Sequence, residues 1–198
     1  MNLALFDFDG TITDADMYTK FIRFTASKRR TVVAGCLLLP LYSLYRIGWF
    51  PARKLRPIVS YLAFRGRDYQ QLNTMAATYA QEVIPKHVMP HALNKIRWHQ
   101  ENGDTVVVVS ASLDVYLKHW CTPLGLTLIS SELEVKNGIL SGYYATGDVS
   151  CETKAIKVRH TFDLNSYERI YAYGDTAEDL AMLQLAHEKY MNWNEVTY

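Results

Sequence analysis

The amino-acid sequence predicts an α/β fold in which a mostly parallel β-sheet is sandwiched by helices. Three short apolar runs, each ending in polar or acidic residues, predict buried strands at residues 3–6, 105–110 and 170–173. Helical patterns follow at residues 113–121, 153–162 and 178–186. Strands that alternate with helices of this length are typical of βαβ units, which form parallel sheets.

Turn signals define where these elements begin and end. The first strand runs into Asp7-Phe8-Asp9-Gly10, and the third ends in Gly174-Asp175. Asn102-Gly103 is a good helix stop just before the second strand. Asn137-Gly138, the preferred two-residue turn of a β-hairpin, separates two short β-like runs at residues 133–136 and 139–142.

A long segment after the first strand has a different pattern. From residue 16 to about residue 86 no strand–turn rhythm occurs, and apolar residues recur at helical spacing in segments 18–24, 32–45 and 69–83. We therefore expect two parts: an α/β core of residues 1–15 and 88–198, and an all-helical insertion of residues 16–87. A chain of 198 residues is long enough for one domain with such an insertion.

The charges are segregated although the net charge is only +1. Residues 17–67 contain no Asp or Glu, whereas eleven of the chain's 21 Lys and Arg residues lie there. The rest of the chain therefore has ten basic residues against all 20 acidic ones. This pattern favours contact between the basic segment and an anionic partner: a membrane surface, a nucleic acid or a multiply phosphorylated ligand.

The cysteines and the N-terminal residues indicate the compartment. Three widely spaced cysteines without a CxxC pair argue against a zinc ribbon or a disulfide scaffold and favour a reducing cytosol. The first residues have no basic region and reach two acids by position 9, which is unlike a secretory signal.

Polar side chains with complementary chemistry follow the predicted strands. Ligands of open α/β sheets bind at the carboxyl ends of the strands. The candidates there are listed in chain order: Asp7, Asp9, Thr11, Ser110, Lys154, Asp175 and Asp179. Converging carboxylates repel one another unless a cation lies between them, and Mg²⁺ prefers such oxygen ligands together with substrate phosphate.

Four segments resemble the motifs of the haloacid dehalogenase-like (HAD) superfamily. Residues 6–13, FDFDGTIT, are similar to its first motif, DxDGT. Ser110-Ala111-Ser112 is similar to the second motif, Lys154 to the third, and residues 173–179, with Gly174, Asp175 and Asp179, to the fourth, GDxxxD. The chain looks most like subfamily IB, the phosphoserine-phosphatase-like hydrolases. This resemblance implies a Rossmann-like core with an all-helical cap of the C1 type.

The resemblance also implies catalytic roles. Asp7 would be the nucleophile that forms an aspartyl-phosphate. Asp9 would protonate the leaving oxygen and then activate water. Mg²⁺ would be held by the carboxylates of Asp7 and Asp175 and by the backbone carbonyl of Asp9.

Further residues would bind phosphate and support the metal. The phosphate-binding candidates are Thr11, Ser110, Ala111 and Lys154; the supporting candidates are Asp179 and Glu178; Asp16 would face the substrate from the cap. Lys154 precedes Asp175 by 21 residues and Lys157 by 18. The longer spacing better accommodates a helix, a loop and a strand, so Lys154 is preferred and Lys157 is the fallback.

The predicted function is that of a Mg²⁺-dependent phosphomonoesterase. A phosphotransferase would use the same intermediate, and a basic membrane- or nucleic-acid-binding adaptor with vestigial chemistry is the alternative from another class. The substrate is unassigned, either a small phosphorylated metabolite or a phospholipid such as phosphatidylglycerophosphate. Asp16 and Glu178 replace a glutamate and an asparagine of phosphoserine phosphatases. The additional acid would repel a phosphoserine carboxylate, which predicts poor turnover of phosphoserine.

Residues 32–45 form an uncharged run flanked by basic residues. The run is shorter than the roughly 20 residues of a spanning helix and contains Pro40, so we do not expect it to cross a membrane. It either packs inside the cap or touches lipid. The charge pattern favours a cytoplasmic enzyme with a peripheral attachment to an anionic membrane through residues 17–67. No nucleic-acid partner is expected.

Overall fold

The computed structural model describes residues 1–27, 43, 47, 49 and 51–197, without the side chains of residues 52 and 53. Within this part, six strands form one sheet in the order β3-β2-β1-β6-β7-β8. All neighbouring strands are parallel except β7 and β8. The strands are β1 (Leu3–Phe6), β2 (Thr105–Leu113), β3 (Thr127–Ser131), β6 (Ile170–Gly174), β7 (Glu188–Met191) and β8 (Asn194–Glu195). The mostly parallel sheet expected from the sequence is therefore confirmed.

Helices cover both faces of this sheet. Their bounds are α1 (Met17–Thr25), α2 (Ala52–Phe64), α3 (Tyr69–Glu82), α4 (Pro90–Glu101), α5 (Asp114–Cys121), α6 (Glu152–Thr161) and α7 (Leu180–Leu183). Side chains of β1 alternate between two hydrophobic clusters: Ala4 and Phe6 belong to one, and Leu3 and Leu5 to the other. Because successive residues of a strand face opposite sides, this alternation shows that β1 is buried on both faces.

The helices between β1 and β2 in the chain pack on one of these clusters. Phe21 of α1, Phe64 of α2 and Tyr79 of α3 are fully buried, and Phe21 contacts both of the others and Tyr116 of α5. Aromatic contacts of this kind add to the free energy gained by burial. The insertion helices are thus continuous with the core that supports the sheet.

A narrow neck joins the insertion to the sheet. Asp14 N–H donates to the His87 carbonyl (2.9 Å), and Met89 N–H donates to the Ile12 carbonyl (2.9 Å). Thr13 and Val88 form an antiparallel bridge between these two bonds. The chain therefore leaves the sheet and returns to it through two adjacent, hydrogen-bonded strands of backbone.

The predicted hairpin is present and supports the insertion from the other side. Its strands are β4 (Leu133–Lys136) and β5 (Ile139–Tyr144), and both turn residues have positive φ (51° at Asn137 and 78° at Gly138). Such φ values are those of the predicted turn type. Backbone bonds link the hairpin to the α2–α3 connection, including Gly66 N–H to the Leu140 carbonyl (2.8 Å).

Some expectations differ from the structure. The helix predicted at residues 178–186 is shorter in the structure, where a 3-10 turn at Ala177–Asp179 leads into the one-turn helix α7. Asp179 there accepts from the backbone N–H groups of Asp175 and Thr176, so its side chain organises a turn. Strand β2 runs to Leu113, beyond the predicted end at Ser110, with a register irregularity between these residues.

The uncharged run at residues 32–45 lies outside the described residues except for Ser43, as do Lys28, Arg29, Arg30 and Arg46 of the basic segment. Among the helices that the structure describes, none is long and apolar enough to cross a membrane.

Candidate active site

The carboxyl ends of β1 and β6 bring two acidic residues together. The strands pair in parallel with Phe6 opposite Tyr173, so Asp7 and Asp175 follow their ends side by side. Asp7 N–H donates to the Tyr173 carbonyl (2.9 Å), which fixes the backbone where β1 ends. Carboxylate oxygens of Asp7, Asp175 and Asp179 lie within 4.8 Å of one another.

Lys154 reaches this group from the first turn of α6. Its Nζ donates to Asp7 Oδ1 and to Asp179 Oδ1, the latter at 2.6 Å. The Lys154 side chain is 2% exposed, so both ion pairs are buried. Buried ion pairs of this kind need several hydrogen bonds to offset their desolvation. Asp179 meets this need by also accepting from the N–H groups of Asp175 (3.1 Å) and Thr176 (3.2 Å).

Three acids share one lysine in this group, and burial acts on the pKa of each of them. Burial raises the pKa of Asp7 well above its usual value, although Lys154 opposes this. Burial and the charge of Asp179 raise the pKa of Asp175 to about 6. At Asp179, burial is outweighed by Lys154 and the backbone N–H groups, so its pKa is lowered. The site therefore has an excess of negative charge that a cation would relieve.

The Asp9 carboxylate occupies a separate environment. Its Oδ1 accepts from the N–H of Met17, the first residue of α1 (2.7 Å), and its Oδ2 accepts from the Ser112 hydroxyl. Burial raises the pKa of Asp9 to about 7, against the effects of Ser112 and Met17. Asp9 is thus held by partners of its own, and its pKa is that of a group that can exchange protons near neutrality.

The other phosphate-binding candidates line the same end of the sheet. Thr11 is buried, and its hydroxyl has no hydrogen-bond partner within the described ranges. Ser110 is buried in β2, where its Oγ accepts from Ser112 N–H (3.1 Å). Ala111 between them is partly exposed. The Thr11 hydroxyl is therefore available to bond to a ligand.

Two glycines leave room for these carboxylates. A Cβ at Gly10 would lie 2.1 Å from Asp175 Oδ2, and one at Gly174 would lie 2.5 Å from Asp179 Cβ. Gly10 also has a φ of +83°, which side chains rarely adopt. The close approach of these carboxylates therefore explains why glycine occupies both positions.

Three further sequence-predicted residues have other contacts. Glu178 Oε2 accepts from the Arg56 guanidinium of α2 (2.8 Å), so it pairs with a cation of the insertion. Asp16 is exposed and caps α1 by accepting from Thr19 N–H (2.9 Å). Lys157, the fallback for Lys154, donates to Thr146 Oγ1 (2.7 Å) and is not among the contacts of Asp7.

Sequence reasoning missed Arg56, Asp148 and the specific role of Ser112. Arg56 donates through Nε to Asp148 Oδ2 (2.8 Å), in addition to its bond with Glu178. Nothing in the local sequence links Arg56 to these acids, because Asp148 and Glu178 lie 92 and 122 residues further along the chain. For Ser112, the sequence did give a signal, because this residue belongs to the second motif, Ser110-Ala111-Ser112.

One protein family matches most of the chain. The sequence model of haloacid dehalogenase-like hydrolases matches residues 4–184, which include every residue of the site described above. The chain belongs to the haloacid dehalogenase-like hydrolase family.

Curated relatives of this HAD chain include an enzyme. Protein CicA of Caulobacter vibrioides is 28% identical over 94% of this chain and 84% of its own length. The histidinol-phosphatase of Neisseria meningitidis serogroup C is 23% identical over 94% of this chain and 88% of its own.

Solved structures show the same fold. A protein of unknown function from Bordetella pertussis Tohama I has a TM-score of 0.84 at 21% identity, covering 96% of this chain and 89% of its own. A phosphoserine phosphatase, described as a phospho-aspartyl intermediate analogue, has a TM-score of 0.67 at 19% identity, covering 96% and 85%. Together the comparisons show a hydrolase family and a fold that this chain shares with a phosphoserine phosphatase structure.

Replacement of Gly10 tests the steric argument. In Gly10→Ala and in Gly103→Ala the backbone has nearly the same positive φ (+83° and +75°), but a Cβ at Gly103 meets nothing within 4 Å. We expect both to lose about 1 kcal/mol of unfolding free energy. Only Gly10→Ala should also lose at least about tenfold in kcat, because Asp175 must move. Denaturant unfolding and phosphatase assays measure both; equal activities of the two variants would contradict the argument.

The two lysines of α6 form a matched pair. Lys154→Met removes the cation between two buried carboxylates, so we expect a loss of about 3 kcal/mol of unfolding free energy. The same variant should lose at least about 100-fold in kcat/KM, because the resemblance assigns to Lys154 an electrostatic contact with the phosphoryl group. Lys157→Met should stay within about 0.5 kcal/mol of the wild type. If Lys157→Met lost more kcat/KM than Lys154→Met in a steady-state assay, the third motif would be assigned to Lys157 instead.

Proposed function

We propose that this HAD protein hydrolyses a phosphomonoester with Mg²⁺ as cofactor and an aspartyl-phosphate on Asp7 as intermediate. The observation that carries the proposal is the cluster of Asp7, Asp175 and Asp179, two of which bond to the buried Lys154, with Asp9 two residues from Asp7. A nucleophile, a phosphate-binding cation, a metal-binding pair and an acid–base group are thus supplied at one sheet edge.

The donor set fits a magnesium ion. Three hard oxygen donors lie close together, and a single ammonium group, that of Lys154, bonds to two of the three carboxylates. The carboxylates of Asp7 and Asp175 and the backbone carbonyl of Asp9 would hold the ion. When bound, it would screen the anionic phosphate from the anionic nucleophile.

Asp7 is the proposed nucleophile because of its position. It directly follows the central strand β1, and its backbone is tied to β6, so its carboxylate is held on a rigid element. A carboxylate oxygen attacks phosphorus, the bond to the leaving oxygen breaks, and an acyl phosphate forms. Charge is spread over the phosphoryl oxygens in the transition state. Four groups would hold these oxygens: Lys154, Ser110, the N–H of Ala111 and the unpartnered hydroxyl of Thr11.

Asp9 is the proposed acid and base. Its carboxyl group gives a proton to the leaving oxygen during transfer and takes one from water when the acyl phosphate is hydrolysed. Its pKa of about 7 allows both forms to be present under ordinary conditions. Met17 and Ser112 hold its two oxygens, so the group is fixed for both steps.

Several finer points stay proposals. The substrate is a small phosphorylated metabolite or a phospholipid, and hydrolysis is favoured over transfer to an alcohol because no acceptor site is needed for it. Attachment to an anionic membrane through residues 17–67 rests on charge pattern alone, because many of its residues lie outside the described ranges. The family membership and the complete catalytic set favour an enzyme over a basic adaptor.

Asp7→Asn tests the covalent mechanism. An amide is not a nucleophile, so turnover should fall by about 10⁴-fold or more, with no phosphorylated chain in rapid-quench mass spectrometry. Asp9→Asn should slow transfer and hydrolysis by about 10²- to 10⁴-fold while labelling at Asp7 persists. Circular dichroism should show both variants folded. Substantial turnover by Asp7→Asn would exclude the covalent route.

Magnesium removal tests the metal proposal. EDTA should abolish turnover, and added Mg²⁺ should restore it. Added Mg²⁺ should also raise the thermal unfolding midpoint of the metal-free chain, because a ligand that binds only the folded state stabilises it. This rise should be lost in Asp175→Asn and kept in Asp163→Asn, an exposed acid that caps the turn at residues 164–166. A midpoint that ignores Mg²⁺ in the wild type would contradict the proposal.

Phosphoserine should be a poor substrate. Arg56, the cation beside Glu178, is already bonded to Asp148 and Glu178, so a substrate carboxylate would have to break these ion pairs. We expect kcat/KM for phosphoserine to be no higher than for phosphoethanolamine, which lacks the carboxylate. Steady-state phosphate release measures both, and a clear preference for phosphoserine would contradict the expectation.

A further inference from the structure

Ser112 is held where it can act on Asp9. Its side chain is buried, and its hydroxyl donates to Asp9 Oδ2. The roles assigned above use Ser110 and Ala111 of the same motif for phosphate binding. The Ser112 contact involves a different partner and therefore a different part of the reaction.

The shape of β2 explains how two neighbouring serines serve two partners. Residues two apart in a regular strand face the same side. The pairing of β2 with β3 shifts between Ser110 and Leu113, and Ser112 N–H donates back to Ser110 Oγ (3.1 Å). Irregularities of this kind re-aim side chains beside active sites. Here the irregular stretch of β2 directs the Ser112 hydroxyl to Asp9.

The two donors on Asp9 differ in their chemistry. The Met17 backbone N–H can only donate a hydrogen bond, whereas the Ser112 hydroxyl can donate to a carboxylate and accept from a carboxylic acid. A contact that suits both forms can hold Asp9 as it gives a proton and as it regains one. Because the Met17 N–H can only donate to Oδ1, the other oxygen, Oδ2 beside Ser112, is the one that can lose and regain a proton.

We propose that Ser112 is a positioning residue that holds Asp9 Oδ2 for proton transfer to the leaving group. The proposal rests on the proposed function, since it assumes that Asp9 is the acid. During phosphoryl transfer the bond from phosphorus to the leaving oxygen breaks, the Asp7 oxygen takes the phosphoryl group, and the Oδ2 proton goes to the leaving oxygen. Ser112 keeps its own proton throughout.

A series of substrates with different leaving groups tests this role. Poor leaving groups such as alkoxides need a proton, whereas p-nitrophenolate leaves without one. In Ser112→Ala, kcat/KM should fall at least about tenfold for phosphoethanolamine and β-glycerophosphate but less than about threefold for p-nitrophenyl phosphate. The ratio kcat/KM covers the steps up to phosphoryl transfer, so slow hydrolysis of the intermediate does not hide the effect.

Control variants separate positioning from folding. Ser60→Ala removes another buried serine hydroxyl, which bonds to Tyr18 (2.8 Å) and Tyr144 (3.0 Å), and should leave the leaving-group dependence as in the wild type. Ser112→Cys keeps the size of the side chain with a weaker donor and should fall between the wild type and Ser112→Ala. If Ser112→Ala does not fold, Ser112→Cys carries the comparison.

The outcomes distinguish the two proposals. An equal loss on all three substrates in the folded Ser112 variants would overturn the positioning role and leave a structural one. Asp9→Asn should show the same selective loss as Ser112→Ala, but larger. If Asp9→Asn shows no dependence on the leaving group, the acid role of Asp9 fails, and the role of Ser112 fails with it. A selective loss in Asp9→Asn alone would overturn only the inference about Ser112.

Discussion

The candidate site depends on one buried ammonium group between two carboxylates. Lys154 donates to Asp7 and Asp179, which the chain places at the ends of different strands, and it is itself excluded from water. Burial works against ionisation of all three groups. The two carboxylates outweigh it at Lys154, and Lys154 with two backbone N–H groups outweighs it at Asp179. The positions of β1, α6 and the turn after β6 are therefore coupled. A displacement of any of them would leave a charge in an apolar environment.

Strand β1 supplies the fixed point of this arrangement. It lies between parallel neighbours on both sides and contributes side chains to both hydrophobic clusters, so it has little freedom to shift. Asp7 inherits this rigidity, and Gly10 lets the chain turn back past Asp175. Asp9 is held differently, by a backbone N–H of the insertion and a hydroxyl of β2. The position of Asp7 thus depends on the sheet, whereas that of Asp9 depends on contacts between the two parts of the chain.

The sequence predicted the elements whose patterns are local. Apolar runs predicted β1 and β6, and Asn137-Gly138 predicted the hairpin, because burial and turn geometry each restrict the residue types at consecutive positions. Helix α2 was missed, since Pro57 in its interior argues against a helix, and β3, β7 and β8 lack a strong alternating pattern. At the site, ordered motifs pointed to Asp7, Lys154 and Asp175. The pairing of Arg56 with Asp148 and Glu178 could not be predicted, because it depends on how distant segments pack.

The neck between the sheet and the insertion has a consequence for evolution. Its two backbone segments are already joined at residues 12–14 and 87–89, so the ends of anything inserted between them start side by side. The entropy of closing such a loop grows only slowly with its length. Lineages can therefore lengthen, shorten or exchange this segment at small thermodynamic cost while the sheet stays intact. The inserted segment can therefore change as a unit while Asp7 and Lys154 keep their positions.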